Sequence, residues 1–273
     1  MPLLDDYTKR WQLTEPEQIA ETHTSTVYRV QRNGESVILK LLKDHAEEER
    51  RGVLALKHWD AHGAIVPLAY DDGAQLLEYA PGPDLVPYVK RGDDQQASEI
   101  ISGVLNQIHS RPVDESLPLP TLRRWFRSLF QYVEVSTNAH LDLMQRGAKL
   151  AEKLLATPQN VTVLHGDIHH ENVRHSSRGW LVIDPKGIIG ERTYDCANTL
   201  CNIHYRSLDI ILDQDRLMAN ARILADAIET DVQRVLAFTY AYTCLSASWS
   251  IADGEMEPTA LDVARLISPL LDD

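Results

Sequence analysis

Residues 165–173 read His-Gly-Asp-Ile-His-His-Glu-Asn-Val, and residues 180–185 read Trp-Leu-Val-Ile-Asp-Pro. Apolar, β-like segments at 161–164 and 180–183 flank a polar run that contains Gly166, so Asp167 and Asn172 are expected on a loop between two strands. Asp184 follows the second strand directly. Two Asp side chains and one Asn brought together in this way supply oxygen ligands of the kind Mg²⁺ takes from proteins, while water and phosphate fill its other positions. The stretch therefore indicates phosphate chemistry.

The spacing of these three residues matches a phosphoryl-transfer site. In that arrangement a catalytic-loop Asp accepts the proton of the substrate hydroxyl, an Asn five residues later binds magnesium, and a further Asp binds the metal ions. The chain resembles the kinase-like phosphotransferases, with His-Gly-Asp in place of His-Arg-Asp and Asp-Pro-Lys in place of Asp-Phe-Gly. Segments 165–172, 176–185 and 241–255 together resemble the streptomycin 6-kinase and hydroxyurea kinase group of the aminoglycoside phosphotransferase family.

The resemblance implies a fold, a reaction and residue roles. The implied fold is α+β and two-lobed, like that of protein kinases. Residues 1–79 form a nucleotide-binding lobe with a five-stranded antiparallel sheet and one helix, residues 80–84 form a connector, and residues 85–273 form a larger, mainly helical lobe. The implied reaction transfers the γ-phosphoryl group of ATP to a hydroxyl of a small molecule, an aminoglycoside of the streptomycin type, with Mg²⁺ as cofactor. Asp167 then positions and deprotonates the hydroxyl, while Asn172 and Asp184 bind magnesium.

The same letters leave other interpretations open. Gly-Asp is common in turns, and a histidine before it can simply be packed at a strand end. A rival function is a zinc-dependent hydrolase, since imidazoles and carboxylates at short spacing suit zinc, and His165, Asp167, His169 and His170 offer such a set. The zinc hydrolase would have no function for Asn172 and Asp184.

Composition bounds the class of protein. The chain has 273 residues, 44% of them hydrophobic, which is enough for one large domain or two lobes. No apolar run approaches the roughly 20 residues of a membrane span, and residues 1–10 lack the order of a signal peptide, so we expect a cytoplasmic protein. The three cysteines are an odd number in apolar, helix-like surroundings, which favours reduced core thiols over disulfides.

The charge is strongly acidic. Lys and Arg total 27 against 40 Asp and Glu, for a formal net charge of −13. Such a surface disfavours binding to nucleic acid or an anionic membrane and attracts cationic small molecules. Acidic composition is also common for solubility alone, so it supports a cationic substrate only weakly.

The first 80 residues read mainly as strands. Val and Thr enrichment around the turn Arg32-Asn33-Gly34 predicts strands near 17–23, 26–32 and 36–42, and apolar runs near 65–70 and 75–79 predict two more. In the resemblance the first turn covers the nucleotide phosphates. Here the turn lacks a Gly-rich pattern and has Thr24, Ser25 and Thr26, whose hydroxyl and N–H groups are candidates for phosphate binding. An ordinary hairpin turn fits the same residues.

Lys40 interrupts the apolar run Val37–Leu42 on the third predicted strand. A half-buried lysine needs a partner, and the resemblance assigns this position to the α- and β-phosphates with a helix Glu as its partner. A capping-box pattern at Asp44–Glu47 predicts a helix from residue 44 to about residue 60. Glu49 shares the apolar face of that helix, so we expect it to pair with Lys40.

The segment Ala80-Pro-Gly-Pro83 forbids regular structure and marks the lobe boundary. In the resemblance the adenine ring contacts such a connector, which implies the Glu78 carbonyl and the Ala80 N–H as its hydrogen-bonding groups and Leu77 as part of the pocket. Beyond residue 84, helical periodicity dominates, and stripes that include Trp125 and Phe126 read as core packing. Further helices are expected from 194 to 203, 214 to 228, 231 to 249 and 258 to 271. Asp195 resembles an acid that holds the catalytic loop, and it also suits a helix N-terminus.

The sequence says less about the phosphate acceptor than about the catalytic residues. Asp253 and Glu255 end a helix on a segment that resembles the streptomycin kinase, and their carboxylates are candidates for binding the guanidinium groups of such a substrate. An Asp-Gly helix stop explains the same residues without a ligand. A kinase of another small hydroxylated metabolite would share every catalytic residue, because one fold hosts many acceptors.

Overall fold

The N-terminal lobe is an antiparallel sheet with strand order β1-β2-β3-β5-β4. The computed structural model describes residues 4–114, 116–137, 140–201, 208–255 and 258–272. The elements of this lobe are α1 (Leu4–Trp11), β1 (Thr14–Glu21), β2 (Ser25–Arg32), β3 (Glu35–Leu42), α2 (Glu47–Trp59), β4 (Pro67–Tyr70) and β5 (Ala74–Glu78). The predicted five-stranded sheet is therefore confirmed, and α2 crosses over between β3 and β4.

Three details of this lobe differ from prediction. The helix α1 was not predicted from the sequence. This helix buries a single residue, Tyr7, and the Tyr7 hydroxyl donates to Asp71 Oδ1 at 2.6 Å. The first strand begins at Thr14 rather than residue 17; it lies at the sheet edge and bulges around Pro16, where a missing N–H costs no ladder bond. The predicted capping box is wrong: α2 begins at Glu47 after Ala46, which makes no side-chain cap.

The second lobe is mainly helical. Its elements are α3 (Val86–Lys90), α4 (Asp94–Ile108), α5 (Leu122–Trp125), α6 (Arg127–Val135), α7 (Leu141–Ala156), β6 (Val161–Leu164), β7 (Val173–Ser176), β8 (Gly179–Val182), β9 (Ile188–Glu191), α8 (Tyr194–Cys201), α9 (Leu208–Ile211), α10 (Gln214–Ala227), α11 (Val232–Ala252) and α12 (Ala260–Ile267). Strand β6 pairs with β9 and β7 with β8, both antiparallel. The last two residues of the helix predicted at 194–203 lie outside the described residues.

The helix α11 forms the centre of this lobe. It packs against α6, α7, α8, α10 and α12, and most of its residues are buried, which explains its near-continuous apolar sequence. Cys196, Cys201 and Cys244 are buried and free, as predicted. Burial raises the pKa of the Cys244 thiol to about 12, so it stays protonated in the core.

Hydrophobic packing continues across the connector. The larger buried cluster joins Leu56 and Trp59 of α2 to Ile101 and Leu105 of α4. The division of the chain at residues 80–84 therefore stays a prediction, although no helix or strand occupies those residues. None of the described helices is long and apolar enough to span a bilayer.

Candidate active site

A cavity of about 190 Å³ lies between the sheet and the second lobe. Ile19, Val27 and Ile38 of the sheet form its apolar roof, and Leu77, Glu78 and Ala80 line it along the chain that enters the connector. Lys40 and Asp184 line it as well. An apolar slot beside a connector backbone, with charged groups lining the same slot, has the shape and chemistry to hold a purine ring and its phosphates.

Lys40 is held by two carboxylates. Its Nζ lies 2.6 Å from Glu49 Oε2 and 2.9 Å from Asp184 Oδ1, so the predicted pairing with Glu49 is present. Thr24 Oγ1 donates to the other Glu49 oxygen at 2.8 Å. Burial alone would lower the pKa of Lys40, but the charges of Asp184 and Glu49 outweigh it and raise that pKa above its usual value. The lysine is therefore a fixed cation in the cavity.

The β1–β2 turn presents one of the three expected hydroxyls to a cavity. Ser25 and Thr26 are buried at the start of β2, and the Ser25 hydroxyl lies 3.1 Å from that of Thr22. Thr24, which was expected, lines a second cavity of about 200 Å³ together with Thr22, which was not. The turn is closed by a hydrogen bond from the Thr22 N–H to the Ser25 carbonyl, 2.8 Å long. A nucleotide role for Ser25 and Thr26 stays a prediction.

The loop after β6 brings the three polar residues of the opening stretch to that second cavity. Asp167, Asn172 and Asp184 all line it. The Asn172 amide donates to the Asp167 carbonyl at 2.9 Å, which leaves its amide oxygen as the group that can bind a cation. The Asp184 side chain is 48% exposed with one oxygen on Lys40. Oxygen atoms of Asn172 and Asp184 around one cavity fit Mg²⁺, which prefers such hard ligands.

A buried carboxylate fixes this loop. Asp195 Oδ1 accepts from the Gly166 N–H at 2.8 Å, and Oδ2 accepts from the His165 N–H at 2.9 Å and from His109 Nε2 at 2.8 Å. Asp195 lies in the first turn of α8. Asp195 therefore lies at a helix N-terminus and also holds a loop, as the two sequence interpretations predicted. Its carboxylate joins the start of α8 to the loop that contains Asp167.

The histidines of the zinc alternative do not converge. His165 is fully buried; its Nε2 donates to the Ile183 carbonyl at 2.8 Å and its Nδ1 accepts from the Asp167 N–H at 3.2 Å. His170 is buried near Asp94, 3.7 Å away, and His169 lies 4.0 Å from Glu171. In the described part of the chain, no three His, Cys, Asp or Glu side chains are placed to hold a metal ion together. The predicted zinc set is not assembled.

A third cavity of about 500 Å³ opens on the other side of Asp167. Trp125, Tyr242 and Trp249 supply aromatic walls, and Asp253 lies at its edge. The Trp125 and Trp249 rings meet edge to face at 5.6 Å, and Trp125 Nε1 donates to the Tyr194 hydroxyl at 2.9 Å. Trp125, expected only as core, thus also forms a cavity wall.

Glu255 lies apart from this cavity. It is exposed two residues beyond Asp253 and is not part of the described lining. Gly254 between them has φ +98°, the left-handed conformation that ends α11. The Asp-Gly helix stop is therefore present together with the cavity-lining carboxylate, and a substrate role for either acid stays a prediction.

Sequence reasoning missed two basic residues beside the site. Arg178, in the β7–β8 turn, donates to Glu78 Oε1 at 2.9 Å and to the carbonyls of Ala61 and Ala64 at 2.9 and 2.8 Å. Lys186 lines both the 200 Å³ and the 500 Å³ cavities. A basic residue beside Asp-Pro was the available signal for Lys186; nothing local distinguishes Arg178, since its partners lie about 100 residues away.

Comparison with known proteins gives consistent matches along almost the whole chain. A family profile described as aminoglycoside/hydroxyurea antibiotic resistance kinase matches residues 10–254. The streptomycin 3''-kinase of Klebsiella pneumoniae is 35% identical over 252 residues, which cover 90% of this chain and 91% of that protein. The streptomycin 6-kinase of Streptomyces griseus is 27% identical, covering 95% of this chain and 86% of that protein.

A solved structure shares the fold. The thermostable mutant of aminoglycoside phosphotransferase APH(4)-Ia, in ternary complex with ADP and hygromycin B, superposes with a TM-score of 0.70 at 12% identity. The match covers 97% of this chain and 96% of that one. The predicted two-lobed, protein-kinase-like α+β fold is thereby confirmed.

Proposed function

The chain belongs to the aminoglycoside/hydroxyurea antibiotic resistance kinase family and is a phosphotransferase, and we propose that it transfers the γ-phosphoryl group of ATP to a hydroxyl of streptomycin. One observation carries the proposal. Asp167 lies on the wall shared by the polar 200 Å³ cavity and the aromatic 500 Å³ cavity. A carboxylate between a phosphate-binding cavity and an acceptor cavity is in position to accept the proton that the acceptor hydroxyl loses during transfer.

The transfer step assigns a fate to every group. The acceptor oxygen forms a bond to the γ-phosphorus as the bond from that phosphorus to the β–γ bridging oxygen breaks, and ADP leaves with the bond's electron pair. The hydroxyl proton moves to an oxygen of Asp167. Asn198 Nδ2 donates to Asp167 Oδ1 at 2.6 Å and so fixes the rotation of this carboxylate. Oδ2 is then the oxygen directed at the acceptor, because Oδ1 already has a donor.

The nucleotide is bound by groups of both lobes. The adenine ring would lie against Leu77, with the Glu78 carbonyl and the Ala80 N–H as its hydrogen-bonding groups. Lys40, held by Glu49, would bind the α- and β-phosphates. Asn172 and Asp184 would hold Mg²⁺, which neutralises phosphate charge when bound.

Streptomycin suits the third cavity because of its charge and shape. A guanidinium group is planar, stacks on aromatic rings and donates paired hydrogen bonds to carboxylates. Trp125 and Trp249 offer such rings, and Asp253 is a carboxylate on the same lining. The 35% identical relative is a streptomycin 3''-kinase, so the 3''-phosphate is the product we propose, with the 6-phosphate as the second candidate from the 27% identical relative.

The test is ADP release by the purified protein with ATP, Mg²⁺ and a panel of acceptors. The panel contains streptomycin, aminoglycosides without guanidinium groups, hydroxyurea, and simple sugars and amino alcohols. Streptomycin should give the highest kcat/KM, and NMR of the product should place the phosphate on one hydroxyl. No stimulation by streptomycin, with turnover of a sugar or amino alcohol, would replace the proposal with a kinase of another metabolite.

Asp167→Asn tests the catalytic assignment. Its amide oxygen keeps the hydrogen bond from Asn198, so folding and ADP affinity should stay near wild type. Without a base, kcat should fall by about 10²- to 10⁴-fold. Asp231→Asn, an exposed helix cap that accepts from Gln233 N, is the matched control and should keep wild-type kcat. Wild-type turnover in Asp167→Asn would overturn the assignment.

A further inference from the structure

Three side chains line both the polar cavity and the aromatic cavity: Glu48, Asp167 and Lys186. They mark the passage between the space assigned to phosphate and the space assigned to the acceptor. Among the described residues that line these two cavities, Lys186 is the one lysine or arginine. Lys186 is therefore the cationic side chain at the boundary that a phosphoryl group would cross between these two cavities.

The backbone of Lys186 is fixed on both sides. Its N–H donates to the His165 carbonyl at 2.7 Å, which joins it to the start of the catalytic loop. The next residue, Gly187, has φ +68°, and a β-carbon there would lie 2.9 Å from the Arg51 carbonyl oxygen. Close packing against α2 and the catalytic loop therefore sets where the Lys186 side chain starts.

The Lys186 ammonium group points into the passage. Its Nζ lies 3.3 Å from Glu48 Oε2 and 3.9 Å from Asp167 Oδ2, and the side chain is 31% exposed. The Glu48 distance exceeds that of a strong charged hydrogen bond, so Nζ keeps donors for a further anion.

The other cavity lysine is committed elsewhere. Lys40 is bound by Glu49 at 2.6 Å and Asp184 at 2.9 Å, and it lines the nucleotide cavity. From there it serves the phosphates that stay with ADP. The transferred group carries its charge on three non-bridging oxygens, and stabilising that charge is most of what catalysis requires.

We propose that Lys186 is a catalytic residue that binds the non-bridging oxygens of the transferred phosphoryl group, and that Glu48 is the positioning residue that holds it in the passage. This inference rests on the proposed function. Lys186 keeps its proton throughout: the phosphorus exchanges one oxygen ligand for another, the acceptor proton goes to Asp167, and ADP is the leaving group. Lys186 thus supplies positive charge at the boundary between the two cavities.

The test compares two nucleotides. AMP-PNP has a γ-phosphoryl group and ADP has none, so Lys186→Met should weaken AMP-PNP binding by about tenfold or more while changing ADP binding by less than about twofold. Its kcat should fall by about 10²-fold. Lys186→Arg, which keeps the charge, should recover part of both losses. Equal losses for ADP and AMP-PNP would show a structural role and overturn the proposal.

Two further variants complete the design. Glu48→Gln should lower kcat by less than Lys186→Met and should have little additional effect in the double variant, because both act through one ammonium group. Lys149→Met removes an exposed lysine from α7 and should leave affinities and kcat unchanged. A wild-type protein that binds no ATP and turns over no acceptor would overturn the proposed function itself. Normal wild-type turnover with an unaltered Lys186→Met would overturn the Lys186 role alone.

Discussion

Replacing Gly52 with alanine should destabilise the protein and slow its reaction, although alanine is the better helix former. Gly52 lies in α2, where a β-carbon would be 2.1 Å from the carbonyl oxygen of Pro185. Real β-carbons do not approach closer than 3.0 Å, so helix and turn must separate by 0.9 Å. Both partners are parts of rigid backbone segments, and no flexible side chain can absorb the displacement.

The magnitude follows from two opposing terms. Alanine in place of glycine gains about 1 kcal/mol from helix propensity. Overpacking costs about 1–3 kcal/mol, and a contact with backbone places it at the upper end of that range or above it. We therefore expect a net loss of about 2 kcal/mol in the free energy of unfolding.

The same displacement should reach the active site. Glu49 lies one turn before Gly52 in α2, and Asp184 directly precedes Pro185, so both carboxylates on Lys40 belong to the segments that separate. A shift of about 1 Å in such a site lowers kcat/KM by about 10- to 100-fold. The reduced activity should appear below the unfolding temperature, in fully folded protein.

Urea unfolding and ADP release measure the two effects, and Gly103→Ala is the matched control. Gly103 lies in α4, and a β-carbon there has no atom within 4 Å. This control should gain about 0.5–1 kcal/mol of stability and keep wild-type activity. If Gly52→Ala were as stable as Gly103→Ala, or fully active, the close approach of α2 to the Asp-Pro turn would not matter as argued.

The buried groups around the catalytic loop give two more predictions. Asp195→Asn should lower the free energy of unfolding, measured in urea, by about 3–5 kcal/mol. The reason is that the amide NH₂ of asparagine would face an N–H group that now donates to the carboxylate. A loss below about 1 kcal/mol would contradict the role of Asp195 in holding the loop. Burial lowers the pKa of His165 below its usual 6.5. Below pH 6.5 the unfolded chain therefore binds a proton that the folded chain does not. The free energy of unfolding should then fall as the pH drops, by up to about 1.4 kcal/mol per pH unit. Urea unfolding from pH 7.5 to 5.5 should show a shallower slope for His165→Gln than for wild type, and equal slopes would refute a neutral buried ring.

Much of the site is written locally in the sequence. Asp167 and Asn172 share the loop between β6 and β7, and Asp184 follows β8. The sequence predicted one strand between this loop and Asp184, where the structure has the β7–β8 hairpin, but the three residues still meet at one cavity as their spacing predicts. The partner of Lys40 was also predictable, since a charge within an apolar strand requires a counter-charge from the apolar face of the next helix. Such short-range patterns predict the structure well because few residues separate the side chains, which limits how far apart the backbone can place them.

Other features depend on distant parts of the chain. The helix α1 has only eight residues, so its apolar residues Leu4, Tyr7 and Trp11 give a short pattern, and its anchor, Asp71, lies 64 residues from Tyr7. The hydroxyls offered by the β1–β2 turn depend on its register, which buries Ser25 and Thr26 and turns Thr22 and Thr24 to the cavity. A shift of one residue in a strand exchanges its two faces, so small errors in register change the assignment.

The sequence by itself predicted phosphotransfer chemistry, because Asp167, Asn172 and Asp184 have the spacing of a phosphoryl-transfer site. Only the tertiary structure decided what surrounds that chemistry. The 500 Å³ cavity gathers Glu48 from α2, Trp125 from α5 and Trp249 from α11, and Lys186 lines both this cavity and the 200 Å³ cavity. These residues meet through long-range packing of helices, and the relative placement of distant helices depends on the whole core rather than on any one segment.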